Sequence, residues 1–185
     1  MPSDQVSAEL NPFTELVPPP SRPLRCSDES NWDTLKATID FPFPDEFREY
    51  GKLYGTGEID ANGYGLCVAN PLDPAYPKWL TKNASIMSTI GDPPGLRPTR
   101  FYPEENGMVP FAMDLSGDLL FLSMRKGGVR VISSPLGAPD EEIVYAHDFV
   151  SFLVALFKGE LKPEYFPNEE MKKRTPEFIK RAWLK

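Results

Sequence analysis

The stretch FPFPDEFREYGKLYGTGEI, residues 41–59, decides the fold that we predict for this chain. Pro44 suits the first turn of a helix, where the missing N–H of proline is no loss. The carboxylates of Asp45 and Glu46 follow it, and the positive end of the helix dipole stabilises negative charge at this position. Large apolar side chains then recur at helical spacing, at Phe47, Tyr50, Leu53 and Tyr54. The stretch therefore predicts a short helix with one apolar face, which packs against a sheet or another helix.

The end of this stretch predicts a change from helix to strand. Gly55 and Gly57 supply the backbone conformations that end a helix, because glycine adopts positive φ without steric cost. Glu58 and Ile59 then lead into a segment that we expect to be a strand.

Residues 1–27 differ in composition from the rest of the chain. They contain VPPPSRP and no sustained periodicity, so we predict an extended or partly disordered leader that lies outside the fold. Trp32, Leu35 and Ile39 then recur at helical spacing, which predicts a first helix with Trp32 in the core.

The residues after 59 predict mainly strands, with helices between and after them. The predicted strands are runs of apolar and β-favouring residues between turn residues, at 64–68, 108–113, 119–125, 129–133 and 143–146. The predicted helices are 76–90, 149–157 after an Asp148 cap, and a last one that starts at Pro176 with Phe178, Ile179, Ala182 and Trp183 on its apolar face.

This order of elements predicts an α+β fold, a single domain in which an antiparallel meander packs against helices. We expect the domain to cover residues 28–161. The proline-rich leader at 1–27 and a helical C-terminal extension at 162–185 flank it.

The charge of the chain narrows the kind of partner that it binds. A net charge of −7 over 185 residues leaves no basic field to neutralise phosphates, so we expect no nucleic-acid binding and a basic protein partner instead.

We find neither a signal peptide nor an apolar run of about 20 residues, which predicts a cytoplasmic protein that binds no membrane. Cys26 and Cys67 are predicted to be free thiols, with a single bridge as the alternative.

Few residues of this chain are candidates for a catalytic or metal-binding role. His147 is the one histidine, which excludes any site that needs two and weakens a Ser-His-Asp or Cys-His arrangement. Asp114, Asp118 and Glu105 are the candidates for an acid/base or metal site, although an Asp-Ser-Gly hairpin turn explains the first two better. We therefore predict no cofactor, no metal and no enzymatic activity.

Four segments in this order resemble the SUKH superfamily, which includes Smi/Knr-type regulators and bacterial immunity proteins. The segments are Trp32 in the first helix, FPDEFREYGKLYGTGEI, YPEENGMVPFAMDLSGDLLFLSM and DFVSFLVALFKGEL, and together they cover about residues 30–161. The resemblance implies that the matching residues are structural, namely Trp32, Phe47, Gly55, Pro110, Asp114 and Gly117.

The resemblance and the acidic charge together predict an immunity protein that binds and neutralises a toxin of a bacterial competition system, for example a nuclease with a basic cleft. A Smi/Knr-like regulatory or scaffold module is the alternative, and an enzyme is the third. The carboxylates that we expect to face the partner are Glu58, Asp60, Glu104, Glu105, Asp140, Glu141 and Glu142.

Overall fold

A computed structural model describes residues 10–25, 28–61, 64–90, 101–134, 143–161 and 175–184. Its helices are α1 (Asn11–Leu16), α2 (Ser30–Thr38), α3 (Asp45–Tyr54), α4 (Tyr76–Ile90) and α5 (Phe149–Phe157). Its strands are β1 (Gly57–Ala61), β2 (Tyr64–Val68), β3 (Met108–Asp114), β4 (Leu119–Arg125), β5 (Gly128–Ser134), β6 (Ile143–Val144) and β7 (Glu177–Lys180).

The strands form one antiparallel sheet in the order β6-β5-β4-β3-β2-β1-β7. The first six strands lie side by side in chain order, and β3, β4 and β5 among them form the predicted meander. In the chain, α4 with the residues after it lies between β2 and β3. The seventh strand returns to pair with β1 at the edge. The fold is therefore α+β, as predicted, with a single sheet packed against helices.

The core centres on the ring of Phe47 in α3. The centroid of this ring lies 5.8 Å from that of Phe43, before α3, and 5.9 Å from that of Tyr76, on α4. It lies 6.4 Å from the centroid of Phe111 on β3 and 5.3 Å from that of Phe149 on α5. Each such pair contributes about 0.5–1.5 kcal/mol beyond the burial of its area. The helix predicted from residues 41–59 thus joins the sheet to two other helices.

Part of the predicted leader, within the described residues 10–25, lies in the core instead. Leu10, Phe13 and Val17 are fully buried, and the ring of Phe13 lies 5.3 Å from that of Tyr54. The Tyr54 hydroxyl also donates to the carbonyl of Val17 at 2.6 Å. The prediction was wrong because a helix of one and a half turns, with a proline in its first turn, is too short to produce a periodic signal.

A buried polar cluster fixes the chain where α3 ends. Gly55 has φ +68°, and a Cβ there would lie 2.4 Å from the carbonyl oxygen of Leu24. The Thr56 hydroxyl donates to Asp73 at 2.7 Å, and Arg25 forms an ion pair with the same carboxylate at 3.2 Å. Because Asp73 is fully buried, these partners are needed to offset its desolvation.

The positions that the resemblance implied to be structural have structural contacts. Trp32 is 5% exposed, and the Pro110 carbonyl accepts from the Tyr76 hydroxyl at 2.9 Å. The register of β3 against β4 shifts immediately after Pro110, where proline has no N–H to donate. Asp114 and Gly117, which has φ +95°, form the turn between these strands.

The C-terminal segment is a strand and not the helix predicted from Pro176. Glu177–Lys180 forms β7, and Phe178 lies opposite Ile59 in the ladder with β1. The helix prediction was wrong because the edge of β1 provides backbone hydrogen-bond partners for this segment and a partly buried site for Phe178. The spacing of apolar residues in the local sequence reveals neither of these. Among the described residues, no helix combines the length and the apolar composition that a bilayer crossing requires.

We expect Phe47→Ala to lower the free energy of unfolding by about 3–5 kcal/mol, because it removes a ring that contacts four segments and leaves a cavity. Urea denaturation followed by circular dichroism measures this loss. Val144→Ala is the control, since Val144 is 48% exposed, and it should change stability by no more than about 0.5 kcal/mol. Equal losses for the two variants would contradict the central role of Phe47.

Candidate functional site

Glu58, one of the carboxylates predicted to face a partner, is buried. It is 5% exposed, and its carboxylate accepts from Arg181 at 2.9 Å. The prediction that Glu58 belongs to an exposed acidic surface is therefore wrong, because its counter-ion is 123 positions away in the chain and no local pattern shows it. Asp60, two residues further along β1, is half-buried.

Glu104 and Glu105 are exposed on the turn that precedes β3. The backbone N–H of Gly107 donates to the carbonyl of Glu104 at 2.8 Å, and the hydroxyl of Tyr102 donates to the carbonyl of Asp40. Hydrogen bonds thus connect the two ends of this turn and link it to the residues before α3. The three other predicted carboxylates, Asp140, Glu141 and Glu142, lie outside the described residues.

The candidates for an acid/base or metal site form a turn. Asp114 accepts from the backbone N–H groups of Ser116 and Asp118, both at 2.9 Å. Burial raises the pKa of Asp114, while these N–H groups act in the opposite direction. Glu105 belongs to the separate turn before β3. Within the ranges that the structure describes, no three His, Cys, Asp or Glu side chains are grouped closely enough to hold a metal ion.

A groove of about 460 Å³ runs along α5, and we define it as the α5 groove. Its polar lining consists of Glu46, His147, Asp148, Ser151 and Glu160. Its apolar lining consists of Pro12, Val150, Val154 and Ala155. The groove therefore combines an apolar floor with three carboxylates and one histidine.

The fold places these carboxylates at different positions around α5. Asp148 is the N-cap of α5, where its carboxylate accepts from the backbone N–H of Ser151 at 2.8 Å. Glu160 follows Gly159, which has φ +68° and ends the helix. Nine helical residues span roughly 13 Å, so Asp148 and Glu160 mark the two ends of the groove. Glu46, in the first turn of α3, forms part of its wall.

His147 lines the groove, and one of its ring nitrogens is buried without a partner in the described segments. Its Nδ1 atom is shielded from solvent and makes no hydrogen bond with the part of the chain that the structure describes. A buried polar atom without a partner is destabilising, and a ligand that hydrogen-bonds to it offsets that cost. The groove is thus lined by three carboxylates that attract a cation, and one nitrogen of the histidine beside them is buried without a hydrogen-bond partner among the described residues.

The sequence alone did not identify this groove. The sequence predicts Asp148 only as a helix cap and Glu46 only as a residue of a first helical turn, and the structure confirms both roles. Their spacing of about a hundred positions gives no sign that they lie on one groove. The one usable signal was the placement of a histidine directly before a capped helix.

A second cavity, of about 410 Å³, lies where the C-terminal segment meets the sheet. Its lining includes Cys67, Met113, Leu115, Arg181 and Trp183. Burial and the nearby Glu58 carboxylate raise the pKa of the Cys67 thiol to about 11, while Arg181 acts in the opposite direction. Cys67 is therefore a neutral thiol at physiological pH and not an activated nucleophile.

Comparisons with protein-family models, with curated proteins and with solved structures found no match for this chain.

We expect Cys67 to react with iodoacetamide at pH 8 about a hundredfold more slowly in the folded protein than in urea. With a pKa of about 11, only about one thiol in a thousand is the reactive thiolate at this pH. A Cys26→Ser variant leaves Cys67 as the single thiol, and mass spectrometry measures its alkylation over time. Equal rates in the folded and the unfolded protein would contradict the burial and raised pKa of this thiol.

Proposed function

We propose that this protein is an immunity protein of a bacterial competition system, which binds a basic toxin and blocks it. The observation that carries the proposal is the α5 groove, because three carboxylates line it in a chain of net charge −7. Such a groove favours a cationic partner and disfavours phosphates. The resemblance to immunity proteins supports the same proposal.

The lining of the groove fits the side chains of lysine and arginine. Each has an aliphatic stem, which suits the apolar floor of Val150 and Val154, and a cationic end, which suits a carboxylate. Glu160 lies at the C-terminal end of α5, where the helix dipole also favours a positive charge. An extended segment of about four residues matches the length of α5, along which the groove runs.

A toxin that cleaves nucleic acids is the partner class that this chemistry suits best. Its active-site cleft must be basic to hold phosphates, and an acidic groove takes the place of the substrate in such a cleft. Opposite charges on the two surfaces also speed association, which matters for an inhibitor that must act before the toxin does.

We expect the double variant Glu46→Lys/Glu160→Lys to associate with its toxin about tenfold more slowly at low salt. The change reverses two charges in the groove, so it weakens electrostatic steering and flattens the salt dependence of the association rate. Stopped-flow fluorescence with a catalytically inactive toxin measures both quantities.

The matched control is Glu104→Lys/Glu105→Lys, which changes the net charge by the same amount on the turn before β3. It should slow association less than the groove variant does. If the turn variant has the larger effect, the acidic turn is the contact and the groove is not. If neither variant changes the rate, neither surface faces the toxin.

The function itself is tested by co-expression. We expect the gene for this protein to lie beside one for a large toxin, and cells that produce both proteins to survive. Continued killing at full expression of the folded protein would contradict the proposal. A gene neighbourhood without a toxin would favour the Smi/Knr-like regulatory or scaffold module.

A further inference from the structure

The C-terminal segment, residues 175–184, contacts the body of the protein as a bound peptide does. Its backbone pairs with β1 from Gly57 to Asp60, so it adds a strand to an edge of the sheet. The ring of Phe178 lies 5.3 Å from that of Tyr54 on α3. Strand addition of this kind obtains affinity from main-chain hydrogen bonds and specificity from side-chain contacts.

Two further side chains of the segment have specific partners. The indole N–H of Trp183 donates to the carbonyl of Gly57 at 3.0 Å, and its ring meets that of Trp79 edge-on at 5.3 Å. The guanidinium of Arg181 donates to Glu58 at 2.9 Å. The last described residue, Leu184, is 3% exposed. The segment is therefore recognised at an aromatic, a cationic and a second aromatic position.

The residues that receive the segment all lie in the first 80 positions of the chain. Tyr54 ends α3, Gly57 and Glu58 begin β1, and Trp79 lies on α4. These elements are held by the core and by the other strands, so the receiving surface does not depend on the segment for its own position. We define Tyr54, Gly57, Glu58 and Trp79 as the β1-edge groove.

The absence of a side chain at Gly57 makes room for the segment. A Cβ at this position would lie 2.2 Å from Cζ of Phe178 and 2.6 Å from the carbonyl oxygen of Ile179. The first distance is well inside the contact limit of two carbon atoms. Any other residue at position 57 would push the strand away from the edge.

We propose that the β1-edge groove is a peptide-binding site for residues 175–184, and that it takes this segment from a second copy of the chain as well as from its own. The proposal goes beyond the proposed function and does not depend on it. The partner is identified by its contacts: an extended segment with Phe, Arg and Trp at positions 178, 181 and 183.

Most side chains of the segment are at least partly exposed, and only Pro176 and Leu184 are buried, which indicates that the segment can leave its own groove. Phe178 and Trp183 are only partly buried, and Ile179 is 44% exposed. The Arg181 side chain is 63% exposed, so its ion pair is partly screened by water. Short edge elements with few buried contacts open at lower free energy than a central strand, and an open edge pairs with another copy of the same segment.

The test uses a fluorescein-labelled peptide, TPEFIKRAWL, which has the sequence of residues 175–184. The receiving protein is the full-length variant Phe178→Ala/Trp183→Ala, whose own segment has lost both aromatic anchors. We expect saturable binding by fluorescence anisotropy, with at least about tenfold higher affinity than for the wild-type chain, in which the wild-type segment competes. Absence of saturable binding to the folded variant, or equal affinity for the two chains, would overturn the proposal.

Two controls place the binding at the β1-edge groove. Gly57→Val, added to the receiving variant, should abolish binding because the new side chain occupies the place of Phe178. A peptide with Arg181→Glu should bind at least about tenfold more weakly, and Glu58→Arg in the receiving chain should restore its binding. Binding that is unchanged by both alterations would place the peptide elsewhere and overturn the assignment.

A measurement on the wild-type protein keeps the proposal testable if the receiving variant does not fold. Hydrogen exchange followed by mass spectrometry compares the backbone amides of β7 with those of β4. We expect the β7 amides to exchange at least about a hundredfold faster, since the edge strand opens while the sheet stays intact. Equal protection of the two strands would show that the segment does not leave its groove.

Discussion

The position of the Phe47 ring is the constraint on which the rest of this structure depends. It contacts rings from α4, β3 and α5 and from the residues before α3, so it fixes one helix against a sheet and two other helices at once. A ring in this position leaves the apolar face of α3 only one orientation. Gly55 then ends the helix, and the buried carboxylate of Asp73 fixes the chain that follows it.

The same packing decides where the α5 groove lies. Phe149, Phe152, Leu153 and Leu156 turn one side of α5 into the core, and this leaves Ser151 and Val154 on the side that lines the groove. Asp148 serves both the helix and the groove, since it caps α5 and also lines the groove at its start. The buried helix therefore supplies the apolar floor of the groove, and Glu46, Asp148 and Glu160 around it make the groove acidic. Because the core holds α5 in place, binding a partner here costs less conformational entropy.

The first and the last described segments of the chain contact the rest of the protein in different ways. At the N-terminus, Leu10, Phe13 and Val17 are fully buried, so α1 belongs to the core and forms a wall of the α5 groove through Pro12. At the C-terminus, β7 covers the edge of β1 with side chains that are largely exposed. The first segment is held by the hydrophobic effect, and the last by directional contacts at an edge.

The sequence by itself determined the α+β class, the bounds of α3, α4 and α5 and the order of the meander, because these depend on periodicity, caps and turn residues that lie within a few positions of each other. It assigned Phe47 to an apolar face correctly. Only the tertiary structure decided that Glu58 is paired with Arg181, that Glu46 and His147 share a groove, and that Phe178 lies in a strand. Each of these contacts brings together residues about a hundred positions apart in the chain. Burial, ion pairing and strand pairing between residues so far apart cannot be predicted from the spacing of residues in a short stretch of sequence.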